Sequence, residues 1–282
     1  MSVTPELSRL AQARSFLFVP GRRPERFAKA LASGADAVII DLEDAVPLDA
    51  KDTARTALMD AWKDFDATER ARLLVRVNPA GTPWHEADLA ALGGLSGLGA
   101  VMLPKAENPQ QVANAFMASG VPVLPLIESA EGVGQMDATA RAQGTLRLGL
   151  GHIDLQADLG LSCGPDEAEL APIRVALVVA SRRAGLPAPV DGVTTATTDA
   201  DVLAHDAERS RRFGFGAKLC IHPAQVAGVH QALAPTEAEC AWARRVLAAE
   251  TAAGGGAFSV DGKMVDPPVL LLARKILQTA AL

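Results

Sequence analysis

Residues 37–65 read AVIIDLEDAVPLDAKDTARTALMDAWKDF, and two different periodicities meet within them. Ala37–Asp41 is a short β-branched and aliphatic run, which reads as a strand that stops at Asp41-Leu42-Glu43-Asp44. From Asp49 to Phe65 the apolar residues return at helical spacing. Ala50, Ala54, Ala57, Leu58, Ala61, Trp62 and Phe65 share one stripe and charges fill the opposite face. Asp49, with Asp52 three residues on, can cap the first turn. A strand followed at once by an amphipathic helix is one half of a parallel βαβ unit.

The same alternation runs outward in both directions. Further strands are expected at Ser15–Val19, Leu73–Val77, Ala100–Leu103, Val121–Leu126, Leu146–Gly149, Val190–Val193 and Ala217–Ile221, eight in all. Pro24, after Arg23, suits the first position of the first helix, where its missing N–H costs nothing. Eight β/α units predict a (β/α)8 TIM barrel over residues 1–233, and a chain of 282 residues accommodates one. Residues 234–282 are then a C-terminal helical extension, expected to act as a lid or in oligomerisation. Thr236 and Glu239 form a capping box for its first helix, Gly254-Gly255-Gly256 interrupts it as a hinge or plain linker, and a last helix starts after Asp266-Pro267-Pro268.

Composition narrows the function. Apolar residues make up 49% and aromatics 4%, so the core is built from Ala, Leu and Val. A formal charge of −6 without a long Lys/Arg block argues against nucleic acid as a partner. Cys163, Cys220 and Cys240 are far apart and lack C-x-x-C spacing, as expected of reduced thiols in the cytoplasm. No apolar run reaches the roughly 20 residues that span a bilayer, and the first residues carry no apolar signal core. No membrane association is expected.

In such a barrel the chemistry sits at the carboxyl ends of the strands. The second strand ends in Asp41-Leu42-Glu43-Asp44, the third carries Arg76 and Asn78, the fourth ends at Lys105, the fifth runs into Glu128 and the sixth into Asp154. Glu128 and Asp154 offer oxygen ligands from adjacent strand ends without His or Cys, which suits Mg2+ or Mn2+ rather than zinc. Arg76 can clamp a carboxylate or a developing alkoxide in bidentate fashion. Taken singly, Glu128 or Asp154 could instead cap the following helix, and Arg76 could pair structurally with Asp41, Glu43 or Asp44. Arg14, Arg22 and Arg23 surround the first strand and first helix, where a phosphate could bind, although solvated arginines are as natural there. The five histidines show no metal-binding spacing, and no G-x-S-x-G elbow is present.

Several strings together carry a resemblance: Arg14-Ser-Phe-Leu-Phe-Val-Pro-Gly21, Ile40-Asp-Leu-Glu-Asp-Ala-Val46, Val75-Arg-Val-Asn-Pro79, Leu103-Pro-Lys105, Ile127-Glu-Ser129, Gly151-His-Ile-Asp-Leu155 and Asp261-Gly-Lys-Met-Val-Asp266. The chain resembles the citrate lyase β-subunit and malyl-CoA lyase group of the HpcH/HpaI aldolase superfamily over nearly its whole length. The resemblance implies Mg2+ on Glu128 and Asp154, Arg76 on a keto acid, support from Glu43 and Asp44, and a CoA or acyl-carrier arm near Arg14 and the basic start of helix one, Arg22 and Arg23. It also implies that the tail delivers an aspartate, here Asp266, to a neighbouring subunit's site, although Asp266 also stands where an N-cap belongs. The expected activity is cleavage of a citryl-, malyl- or citramalyl-CoA type thioester to a keto acid and an acyl thioester, in a homo-oligomer such as a trimer or hexamer. Alternatives are a pyruvate-dependent aldolase without CoA, a thioesterase or synthase activity of the same site, and a subunit inactive without an acyl-carrier partner or other citrate lyase subunits.

Overall fold

The structure is a computed structural model that describes residues 5–253 and 258–280. It divides into two compact units, the second starting at Gln231.

The first unit is a closed barrel of eight parallel strands: β1 (Ser15–Pro20), β2 (Ala37–Asp41), β3 (Leu73–Arg76), β4 (Ala100–Leu103), β5 (Val123–Ile127), β6 (Gly149–Leu150), β7 (Val190–Asp191) and β8 (Ala217–Cys220), with β8 pairing back onto β1. All eight expected strands are present. β6 and β7 are shorter than the sequence suggests, and isolated bonds from Leu146 N to Val123 O (2.8 Å) and from Val190 N to Leu148 O (2.9 Å) stand in for a longer ladder. Alternation sorts each strand into two faces. Phe16, Ile39, Leu74 and Leu126 fill the barrel, whereas Ile127, Leu148 and Leu150 pack outward on Leu155 and Leu177. Full burial of such side chains contributes about 1.5–3 kcal/mol each.

That parity places the polar residues. Asp41, Arg76 and Glu128 each lie two positions beyond an interior residue, Ile39, Leu74 and Leu126, and so point along the barrel axis at the carboxyl rim. Asp191 and Lys218, one position beyond interior Val190 and Ala217, point outward instead. There Lys218 Nζ donates to Gly192 O (2.8 Å), Arg174 Nε lies 3.3 Å from Asp191 Oδ1 and Ser210 Oγ donates to Asp191 Oδ2 (2.5 Å).

The helix expected over Asp49–Phe65 is Lys51–Ala61 flanked by the 3-10 turns Leu48–Ala50 and Trp62–Asp64. Asp49 does not cap it: the N-cap is Ala50, without a side-chain bond, because the preceding turn draws Asp49 into its own backbone. Lys51 departs from the expected solvent-facing charges, being buried at 4% exposure.

In the second unit, Thr236 and Glu239 make the reciprocal bonds of a capping box (Thr236 N to Glu239 Oε2, 2.7 Å; Glu239 N to Thr236 Oγ1, 3.2 Å) ahead of the helix Glu237–Ala253. A hairpin of β9 (Phe258–Val260) and β10 (Lys263–Val265) follows, then the helix Pro267–Ala280. Asp261 and Gly262 both have positive φ (52° and 73°), the two-residue turn that an Asp-Gly pair favours. Ala243, Val246, Val265 and Ala273 form its core. The glycine run 254–256, expected as a hinge or a plain linker, lies outside the described residues. Among those described, no helix is long and apolar enough to cross a membrane.

Candidate active site

A cavity of about 420 Å3 opens at the carboxyl rim, lined by Phe18, Asp41, Asp44, Arg76, Glu128, His152 and Asp154 with apolar and glycine neighbours. Arg76 is the only arginine or lysine among the described lining residues. Its Nε and Nη2 each donate at 2.7 Å to the two oxygens of Asp41, and its guanidinium lies over the Phe18 ring, 4.8 Å from the centroid. Nη1 lies 2.9 Å from Glu43 Oε2 and 3.3 Å from Asp44 Oδ2. The structural pairing and the place in the cavity are therefore both realised in one side chain. Burial disfavours the charge, but Asp41, Glu43 and Asp44 outweigh it and hold the guanidinium pKa above its usual value.

Asp41 is a hub rather than a free ligand, since its oxygens also accept from Glu43 N (2.9 Å) and Ala45 N (3.0 Å). Glu43 sits behind Arg76. Its carboxyl is pushed up to about 8 by burial, opposed by Arg76 and assisted by Asp44 and Glu128.

Glu128 is buried, and Oε1 accepts from Lys105 N at 2.7 Å. Lys105 reaches that geometry in the left-handed region (φ 47°), uncommon for a residue with a side chain. Burial pushes Glu128 up to about 7, the Lys105 amide draws it back, and the Asp154 charge raises it again. Asp154 stands in the first turn of the helix His152–Leu159, whose N-cap is Gly151. The helix after Glu128 is capped by Ser129, which accepts from Gly132 N. Neither acid thus serves as a helix cap, and both are left for the cavity.

This donor set fits a hard dication. Glu128 and Asp154 line a cavity whose one basic side chain among the described lining residues, Arg76, is already engaged by Asp41, so a dication there could neutralise them. Among the described residues no group of three or more His, Cys, Asp or Glu forms a full cage. That suits Mg2+, which keeps several waters and shares its sphere with substrate.

The arginines separate. Arg22 and Arg23 are exposed on the turn just beyond β1, at the same rim, with Arg23 paired to Glu25. Arg14 precedes β1 and is therefore at the opposite, amino end of the barrel, roughly 20 Å along the strand. It pairs there with Asp36 (3.4 Å), and its backbone N–H donates to the same carboxylate (2.7 Å). That placement sets Arg14 apart from the rim that carries the acids, because strand direction, not closeness in sequence, decides which rim a flanking residue joins. Asp266 Oδ1 accepts from Val269 N at 3.3 Å and caps the last helix of the second unit.

Sequence reasoning overlooked Gly151 and Lys51. A Cβ on Gly151 would lie 2.2 Å from Glu128 Oε2 and 2.6 Å from Glu128 Cβ, so the glycine makes room for the Glu128 side chain. His152 is buried, with Nε2 3.4 Å from Glu167 Oε1.

The HpcH/HpaI aldolase/citrate lyase family profile matches residues 14–223. The chain is 39% identical to a citrate lyase subunit beta-like protein of Deinococcus radiodurans, covering 96% of this chain and 98% of that one. It is 35% identical to a (3S)-malyl-CoA thioesterase of Cereibacter sphaeroides, covering 95% and 94%. Among solved structures it is similar to the CitE protein of Mycobacterium tuberculosis in complex with magnesium, acetoacetate and coenzyme A, at a TM-score of 0.86 and 38% identity over 96% of this chain and 100% of that one. With its barrel, its acidic rim and these matches along nearly all of its length, the chain belongs to the HpcH/HpaI aldolase/citrate lyase family.

Proposed function

We propose that this protein is a Mg2+-dependent carbon–carbon lyase that cleaves a hydroxyacyl-CoA thioester of the citryl, malyl or citramalyl type to a keto acid and an acyl thioester. The observation that carries the proposal is the convergence of Glu128, Asp154 and Arg76 on one cavity, where His152, the histidine that also lines it, has Nε2 3.4 Å from Glu167 Oε1. The similar Mycobacterium tuberculosis protein, bound to magnesium, acetoacetate and coenzyme A, supports the substrate class.

Glu128 and Asp154 would hold the metal, which supplies Lewis acidity toward the substrate's oxygens when bound. Arg76, fixed by Asp41, presents its guanidinium to the carboxylate or the oxygen that gains charge as the carbon–carbon bond breaks. Glu43 would position Arg76, and Asp44, which lines the cavity and lies 3.3 Å from Arg76 Nη1, would take the hydroxyl proton. The electron pair of the broken bond leaves on the thioester's α-carbon as an enolate, which a proton then quenches. Asp266 is retained as a candidate for that step on the family resemblance. Arg22 and Arg23 are proposed to meet the phosphates of the CoA arm, in a cytoplasmic homo-oligomer.

Hydrolysis of the thioester is a second reading, favoured by the Cereibacter sphaeroides relative. A screen of citryl-, malyl-, citramalyl- and methylmalyl-CoA with and without Mg2+, following keto acid and free CoA separately, distinguishes them. Lyase action releases keto acid with the thioester intact, and Glu128→Gln or Asp154→Asn should lower it by at least about 10²-fold with the fold retained. Near-normal turnover in either variant, or in chelator, would refute the metal assignment.

A further inference from the structure

Lys51 is a lysine in an unexpected place. It opens the helix Lys51–Ala61, where the positive end of the helix dipole disfavours a cation, and it is buried as well. Neither helix stability nor solvation accounts for it. Its Nζ instead donates to Leu42 O (2.9 Å) and Glu43 O (2.7 Å) and stands 5.7 Å from the Trp84 ring centroid. Those two carbonyls belong to the turn that leaves β2, and Glu43 O also accepts from Val46 N (3.0 Å). The acids whose charges reach the ammonium are Asp41, Glu43, Asp44 and Asp88. Asp88 is already bound by Arg55 (2.9 Å) and by Asn78 N (3.0 Å) and Nδ2 (2.7 Å), so it is not the lysine's partner.

We propose that Lys51 is a positioning residue of the active site: its ammonium clamps the carbonyls of Leu42 and Glu43 and thereby fixes the turn that sets Glu43 and Asp44 against Arg76. The kinetic side of this inference rests on the lyase function proposed above. The structural side does not.

Two measurements test it. Amide exchange at Val46, whose N–H donates to Glu43 O, reads the turn irrespective of turnover. Lys51→Met, which keeps the stem and loses the donors, should speed it at least tenfold relative to amides of β2, while Lys51→Arg, with charge and donors, should stay closer to the parent protein. Unchanged Val46 protection in Lys51→Met would overturn the proposal. Steady-state kinetics with Mg2+ should show kcat lower by at least tenfold in Lys51→Met, KM for the thioester within threefold, and the acid limb of kcat/KM moved to higher pH because a cation has left three neighbouring carboxylates. The loss should be less than multiplicative with that of Glu43→Gln. An unmoved limb with multiplicative losses would overturn the positioning role, whereas a parent protein without Mg2+-dependent keto acid release would refute the lyase function alone. Should Lys51→Met fail to fold, Lys51→Leu, which likewise has no donor, takes its place in both measurements, with the same outcomes deciding.

Discussion

Adding one methyl group at Gly151 should disable the metal site while leaving the barrel folded. Its φ of −97° is open to any residue, so Gly151→Ala carries no left-handed strain and acts through space alone. The new Cβ would stand 2.2 Å from Glu128 Oε2 and 2.6 Å from Glu128 Cβ. Ordinary carbon contacts begin near 3.4 Å, so the carboxylate must retreat by about 1 Å, toward the limit that the Lys105 amide allows on the other side. Rotation can move the carboxylate, but it cannot move Cβ, and β5 and β6 must also part slightly. Such overpacking costs about 1–3 kcal/mol of stability. A misplacement of about 1 Å at a catalytic ligand can cost on the order of 10² in rate. Mg2+ titration by calorimetry, beside kcat/KM for the best thioester found, measures both. Weaker Mg2+ binding and a kcat/KM lower by about 10²-fold, in a protein that still unfolds cooperatively, is the expected result. Parental Mg2+ affinity and turnover in a folded Gly151→Ala protein would refute the claim that Glu128 is a ligand held by steric fit.

Three other perturbations probe separate parts of the structure. Arg76→Lys keeps the charge but cannot make both bonds to Asp41 and also reach Glu43, so kcat/KM should fall by about 10²–10³-fold in steady-state assays. Arg14→Ala should leave KM for the thioester within twofold and lower the thermal midpoint, whereas Arg22→Ala with Arg23→Ala should raise KM; a KM rise in Arg14→Ala would return that residue to the thioester arm. Asp36 is held down at about 2 because hydrogen bonds from His230 and the Arg14 amide overcome the upward push of burial. Its folded pKa lies below the unfolded value of 3.8, so its stabilisation is present above about pH 4 and is lost as pH falls toward 2. At most about 2 kcal/mol is involved, and urea midpoints between pH 2 and 6 should show a shallower acid slope in Asp36→Asn.

Burial raises the carboxyls of Glu43 and Glu128, and Arg76 is already engaged by Asp41, an arrangement in keeping with the proposed cation site. Asp41 spends its oxygens on Arg76 and two backbone amides, which makes the arginine rigid and leaves Glu128 and Asp154 as the acids with capacity to spare. Ser129 and Gly151 take over the capping positions that these acids could have filled.

How much of this was legible beforehand follows from periodicity. The run Ala37–Asp41 and the helical stripe after it determine a βα unit, its repetition determines a parallel barrel, and parallel strands bring all their carboxyl ends to one rim. Those local regularities were enough to bring Asp41, Arg76 and Glu128 together, because alternation by two is a property of the chain itself, and Asp154 joins them from the first turn of the helix that leaves the sixth strand. The Asp261-Gly262 hairpin was also open to such reasoning, through turn chemistry, but the strands beside it are too short to announce themselves. Tertiary structure alone decided the rest. The amide that holds Glu128 comes from Lys105, the space beside it from Gly151, and the clamp on the Glu43 turn from a lysine that any helical pattern assigns to solvent. Each of these contacts depends on two backbones meeting at a few ångströms, and no spacing within a single segment encodes such a meeting.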